Sequence, residues 1–121
     1  MASSSLGSPA DAASVMAVGA IYQGYWTTGP QESFSSRGPT NDGRIKPEIC
    51  GPDGVASHTR GRFWGTSAAT PHVAGAAALV LSKNPSYSVA ELWIVLTSLA
   101  IDMGSPGKDN IYGHGRLNLL E

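Results

Sequence analysis

The chain has 121 residues, 41% of them hydrophobic, and a formal net charge of −1. That length fits one domain, and that apolar content argues for a packed core over wholesale disorder. Its eight basic residues are scattered, which argues against both the basic stripe of a nucleic-acid binder and the Lys/Arg run of a segment held on anionic lipid.

The opening "MASSSLGSPADAAS" has no basic start and no apolar block, so no export signal is expected in it. Residues 1–13, broken by Gly7, Pro9 and Asp11, read as an irregular lead-in. "SVMAVGAI", Ser14 to Ile21, is a short continuous apolar run. Its length and its Val/Ile/Met content suit a strand buried on both faces, the habit of parallel sheets covered by helices. From Tyr22 to Gly65 the text is turn-rich, with Gly29-Pro30, Gly38-Pro39, Asn41-Asp42-Gly43, Gly51-Pro52 and Asp53-Gly54. Two short strands are predicted inside it, "SFSS" (Ser33 to Ser36) and "PEIC" (Pro47 to Cys50). Cys50 is the only cysteine, which rules out an intrachain disulfide and a cysteine metal cluster.

The character changes at Gly65. Thr66 to Ser82 is predicted as a helix stopped by Asn84-Pro85, and its apolar residues from Val73 to Leu81 cover every side. That run of nine is too short to span a bilayer, and a helix apolar all round belongs inside a larger structure. A second helix is predicted from Ser88 to Ala100, opened by the capping box Ser88-Val-Ala-Glu91, and it too is mostly apolar. One convincing strand cannot cover two such helices. The pattern asks for more sheet than the chain holds, as though it were part of a larger fold.

Chemistry concentrates at "GTSAATPHVAGAAALVL", Gly65 to Leu81. Ser67 stands where loop becomes helix, so the unpaired N–H groups and positive end of the first turn favour a developing anion beside it. Gly65 lets the backbone approach a substrate closely, Ala68 and Ala69 keep bulk away, and Pro71 is placed in the first turn, where a missing N–H costs nothing. A serine there suits attack on a carbonyl, its own N–H serving an oxyanion hole. Read alone, Ser67 or Thr66 is also an ordinary helix N-cap.

The base for such a serine is not evident. Of the three histidines, His72 lies about 140° round the helix axis from Ser67 and reads as a histidine satisfied by neighbouring backbone. His58 stands in a loop and His114 among glycines, neither with a defensible Asp partner. Asp42 and Asp53 each precede glycine and read as turn residues. Asp102 and Asp109 flank "MGSPGK", with Asp109 suited to hold a turn, and Glu91 belongs to its capping box. No cluster has metal-ligand spacing, so neither a metal nor a cofactor is predicted.

"GTSAATPHVAGAAALVL" closely resembles the active-site serine motif of the subtilisin-like serine peptidases, the subtilases. "SPADAASVMAVGAI", "SFSSRGPTNDGRIKPEICGPDGV" and "YGHGRLNLLE" resemble other segments of that family, so that the match runs from Ser8 to Leu120. The resemblance implies an α/β fold, the C-terminal part of a subtilisin-like three-layer parallel-sheet domain occupying residues 8–121 after an irregular lead-in at 1–7, and incomplete in this chain. It implies that Ser67 is the nucleophile forming an acyl-enzyme, that its N–H is one oxyanion donor, and that Thr66 and Gly65 border the substrate. The family's Asp, His-Gly-Thr and Gly-Asn motifs do not occur here. Two places drift from the family pattern: Glu48 replaces an Asp, and Cys50-Gly51-Pro52-Asp53 replaces Val/Ala-Ala-Pro-Gly. The resemblance thus implies a serine endopeptidase acting on peptide or protein, secreted by family habit. Its Asp, His and Asn would come from a missing N-terminal half, leaving the isolated chain inactive. The competing expectation is a truncated or degenerate fragment that works without catalysis, by association or domain swapping. Neither nucleic acid nor membrane is an expected partner.

Overall fold

The computed structural model describes residues 3–59 and 61–119; the ends of the lead-in and of the closing segment, Met1, Ala2, Leu120 and Glu121, and also Arg60, lie outside them. Its centre is a parallel pair of strands, β1 (Val18–Tyr22) and β2 (Ile49–Asp53), in a register running from Val18 opposite Ile49 to Tyr22 opposite Asp53. β1 overlaps the predicted apolar run of Ser14 to Ile21 but starts later, the Ala17 N–H being taken by Glu48 Oε1 at 2.6 Å, and runs one residue past it to Tyr22. The strand predicted over "PEIC" begins at Ile49 and continues to Asp53; Pro47, with no N–H, sits ahead of it.

"SFSS" is not a strand. Ser33 and Phe34 turn, and the segment serves β1 in another way. The Glu32 N–H donates to the Ala20 carbonyl at 2.8 Å, and Ser35 Oγ accepts the Ala20 N–H at 3.1 Å. A loop with one hydroxyl thus satisfies backbone groups that a neighbouring strand would otherwise take. After β2 comes a two-residue-per-strand hairpin, β3 (Val55–Ala56) and β4 (Arg62–Phe63), too short to stand out against the turn residues around it.

Residues near the C-terminus close the other edge of β2. Cys50 N–H donates to the Gly115 carbonyl and the Leu117 N–H to the Cys50 carbonyl, both at 2.9 Å, while Arg116 exchanges two 3.0 Å bonds with Ile101. Below them lies the core of Ile21, Cys50, Met103 and Tyr112, with Trp26 and Ile111 packed against it.

Helix α1 (Thr66–Lys83) lies across β1 and β2. Small residues allow the approach: a methyl group on Gly51 would stand 2.5 Å from the Ala69 carbonyl oxygen, so only glycine lets the first turn of α1 rest on β2. Helix α2 (Val89–Leu99) carries the predicted capping box, with Ser88 Oγ accepting the Glu91 N–H at 3.1 Å. The apolar excess is visible in space: Leu79 and Ile94 are each 64% exposed and Val89 77%. An apolar groove of about 300 Å³ runs between the start of β1 and the two helices, walled by Met16, Val18, Val73, Leu92, Trp93 and Leu96. Among the described residues no helix is long and apolar enough to cross a membrane.

Candidate active site

The polypeptide leaves β2 at Asp53, makes the short hairpin and returns to begin α1 beside its point of departure. The link is one hydrogen bond: Asp53 Oδ2 accepts the Gly65 N–H at 2.9 Å, and the Asp53 side chain is buried. Gly65 holds φ 99° and ψ 169°, a left-handed conformation that side chains other than hydrogen rarely adopt. It caps the helix with its backbone alone, its carbonyl accepting the Ala68 and Ala69 N–H groups at 2.9 and 3.2 Å. The N-cap is therefore Gly65, with no side-chain cap bond, and neither Ser67 nor Thr66 is occupied as a cap.

Ser67 is the second residue of α1 and is exposed. Among the described residues its hydroxyl has no hydrogen-bond partner. The first-turn N–H groups and the positive end of the helix dipole lie around it. The placement of Pro71 is corrected: α1 starts at Thr66, so Pro71 lies within the helix, beyond its first turn. Its missing N–H deprives the Ser67 carbonyl of an i+4 donor. Close by, Thr70 Oγ1 donates to the Thr66 carbonyl at 2.7 Å.

The histidines are not brought to Ser67. His72 Nδ1 lies 2.8 Å from the Ala68 carbonyl, where as N–H it donates to helix backbone, as the sequence indicates. His58 is exposed in the β3–β4 connection. His114 is half-buried, its backbone N–H donating to the Glu48 carbonyl at 2.7 Å. Burial, then the neighbouring Lys108, lowers its pKa against the opposing pull of Glu48 and Asp102.

Most carboxylates have local duties. Asp109 Oδ1 accepts the Ile111 and Tyr112 N–H groups at 2.9 and 2.7 Å, the turn-holding role expected of it. Asp102 Oδ2 accepts the Gly107 N–H at 2.7 Å. Asp42 takes the guanidinium of Arg44 at 3.1 Å and the hydroxyl of Thr40, and these two partners hold its carboxyl below the usual range. Among the described residues no group of three or more His, Cys, Asp or Glu could hold a metal ion.

Asp53 departs from the turn role expected of it. It ends a strand, is shut off from water and anchors the serine turn. Glu32, which sequence reasoning passed over, has its carboxyl pushed up from 4.5 to about 7, by burial first and then by the Asp53 carboxyl. One signal for Asp53 was legible: it is the acid standing where the resembling motif carries glycine.

The model of the Subtilase family, Peptidase_S8, matches residues 1–115. Subtilisin BL from Lederbergia lenta is 41% identical over 115 residues, covering 95% of this chain and 40% of that protein. Subtilisin amylosacchariticus from Bacillus subtilis subsp. amylosacchariticus is 39% identical over 117 residues, 97% of this chain and 29% of that protein. Among solved structures, sphericase superposes with a TM-score of 0.78 at 26% identity, covering 99% of this chain and 45% of its own. The chain thus spans less than half the length of the relatives it matches, with a mixed α/β parallel-sheet architecture in common with them. It belongs to the subtilase family of serine peptidases.

Proposed function

We propose that this chain carries the nucleophile of a subtilisin-like serine endopeptidase, with Ser67 attacking the peptide carbonyl to form an acyl-enzyme. In that step the Ser67 Oγ–C bond forms as its proton passes to a base, and the peptide C–N bond then breaks as the amine leaves with a proton. The observation that carries the reading is the glycine-capped start of α1. Gly65 does the capping with its backbone, leaving Ser67 exposed beside the free N–H groups of the first turn. The Ser67 N–H serves the oxyanion, Thr66 and Gly65 border the scissile bond, and no cofactor or metal takes part.

The base, its orienting carboxylate and a second oxyanion donor come from a segment outside these 121 residues. The open apolar groove and the exposed Leu79, Val89 and Ile94 support such a segment packing here. In subtilisin, losing the histidine alone costs about 10⁶-fold in kcat, so the isolated chain is inactive. The parent protein acts on peptides or proteins and works outside the cell.

Joining the chain to the N-terminal segment of a subtilase and titrating with a fluorophosphonate tests the reading. The joined protein is expected to label at Ser67 and to show an acyl-enzyme burst, both lost in Ser67→Ala, while the chain alone does neither. Labelling of the chain alone at the rate of an intact subtilase, or a burst that survives Ser67→Ala, overturns it. The exposed apolar surface also favours a second reading, a fragment that associates or swaps without catalysis. A joined protein that folds but never labels supports that one.

A further inference from the structure

We propose that Gly51 and Asp53 of β2 form a positioning pair that fixes the distance and the rotation of the first turn of α1, and so aims Ser67.

Residues two apart on a strand point to the same face, about 6.6 Å from each other. Residues four apart on a helix share a side, about 6 Å from each other. β2 and the start of α1 meet twice at this matched spacing. At one end, Gly51 lies so close to α1 that a methyl group on it would stand 2.5 Å from the Ala69 carbonyl oxygen. At the other, the buried Asp53 side chain accepts the Gly65 N–H through Oδ2 at 2.9 Å. Ser67 lies midway between Gly65 and Ala69. Successive helical residues advance by about 100°, so Ser67 is turned about 200° from both contacts. The burial agrees: Ala69 is sealed against the sheet while Ser67 faces outward.

Each contact has its own task. Gly51 sets how near the turn comes, because the atom facing it is a backbone oxygen, which cannot swing aside as the end of a flexible side chain would. Asp53 draws the turn in and keeps it from rolling about the helix axis, holding Gly65 at φ 99° where no side chain caps the helix. These are two of the positions at which the chain drifts from the family pattern, with Gly51 standing for an Ala and Asp53 for a Gly. The geometry joins the two exchanges: one permits a close approach and the other tethers it.

The functional half of this inference rests on the proposed peptidase reaction. Displacing a nucleophile by about 1 Å costs on the order of 10²-fold. In the joined protein, Asp53→Gly and Gly51→Ala are each expected to lower kcat by roughly 10- to 100-fold with little change in KM. Asp53→Asn, whose amide oxygen still accepts the Gly65 N–H, should stay within about threefold of the parent, a change well under that of a lost contact. The double variant Gly51→Ala, Asp53→Gly is expected to lose less than the product of the two single losses, because a turn freed of its tether can settle against the added methyl. Equal losses in Asp53→Asn and Asp53→Gly, losses that multiply in the double variant, or changes confined to KM overturn the proposal.

A test independent of catalysis follows hydrogen exchange of the Gly65 amide by ¹⁵N–¹H NMR in the full 121-residue chain. Exchange is expected to be slow in the parent and in Asp53→Asn, and faster by roughly 10- to 100-fold in Asp53→Gly. A Gly65 amide that exchanges at the parent rate in Asp53→Gly overturns the tether. Should Gly51→Ala fail to fold, the comparison of Asp53→Gly with Asp53→Asn decides alone. If no joined protein labels at Ser67 while Gly65 exchange follows Asp53 as stated, the peptidase reading falls and the positioning of the turn stands. A parent that labels, with Gly65 indifferent to Asp53→Gly, defeats this inference and leaves that reading intact.

Discussion

The ammonium of Lys46 meets the carboxylate of Glu48 at 2.9 Å, with the two side chains only 2% and 5% exposed. Lys46 Nζ also donates to the Ala12 carbonyl at 2.8 Å and to the Val15 carbonyl, and Glu48 Oε1 takes the Ala17 N–H. The pair therefore ties the segment ahead of β1 to the start of β2. Removing one partner strands a buried charge and its hydrogen bonds, so Lys46→Ala is expected to lower stability by about 3–5 kcal/mol. Replacing the pair together by Met and Leu should cost much less. Urea unfolding followed by tryptophan fluorescence measures both, and equal losses would contradict the desolvation argument.

Gly65 is the second place where one substitution should act strongly. Any side chain at φ 99° is strained, at about 1–3 kcal/mol. Gly65→Ala is expected to reduce Ser67 labelling in the completed protein by more than its loss of stability explains, because relief of the strain moves the turn that carries the serine.

His72 offers the opposite test. Its Nδ1 is engaged by the Ala68 carbonyl at 2.8 Å, and it stands about 140° round the helix axis from Ser67, on a different face from the hydroxyl it would have to serve. His72→Gln should label at Ser67 within about threefold of the parent rate, a change well under 1 kcal/mol. A loss of several orders of magnitude would show that the histidine reaches the serine.

Stability itself should depend on pH through Glu32. Its folded carboxyl titrates at about 7 against an ordinary 4.5, so between these values the folded chain holds a proton that the unfolded chain has released. The contribution is complete below 4.5 and is lost as pH rises through 7. Urea midpoints are expected to fall across that window in the parent and to lose that fall in Glu32→Gln.

The Cys50 thiol is buried in the core, and that burial first, then the Asp109 charge, lift it to about 12 against the opposing Gly19 backbone. It should resist iodoacetamide at neutral pH in the folded chain and react after denaturation. Rapid native labelling would place it on an open surface.

Both helices, the capping box at Ser88 and Glu91, the parallel habit of the run Ser14 to Ile21 and the burial deficit of α1 were legible, because each follows from local periodicity or end chemistry. What could not be read depends on long-range contacts. Ser35 closes a strand edge through its hydroxyl, and nothing near it in sequence distinguishes that from strand pairing. The helix start at Thr66 was read correctly, and the misplacing of Pro71 was a miscount of turns, since the sixth residue of the helix already lies beyond its first turn. Asp53 precedes a glycine like any turn residue, and its bond to Gly65 spans a hairpin that the text does not announce.

The backbone of Cys50 has its partners in Gly115 and Leu117, residues made well after it in synthesis. As the chain emerges from the ribosome, β2 can pair with β1 early but waits for more than sixty further residues before its second edge is covered (50 to 115). The strand that ends in Asp53 is thus finished last, and the serine turn it anchors takes its final form only when nearly all of the described polypeptide is available. A ribosome stalled before Gly115 would hold α1 complete but leave the Cys50 N–H and carbonyl bare, with the nucleophile still unset.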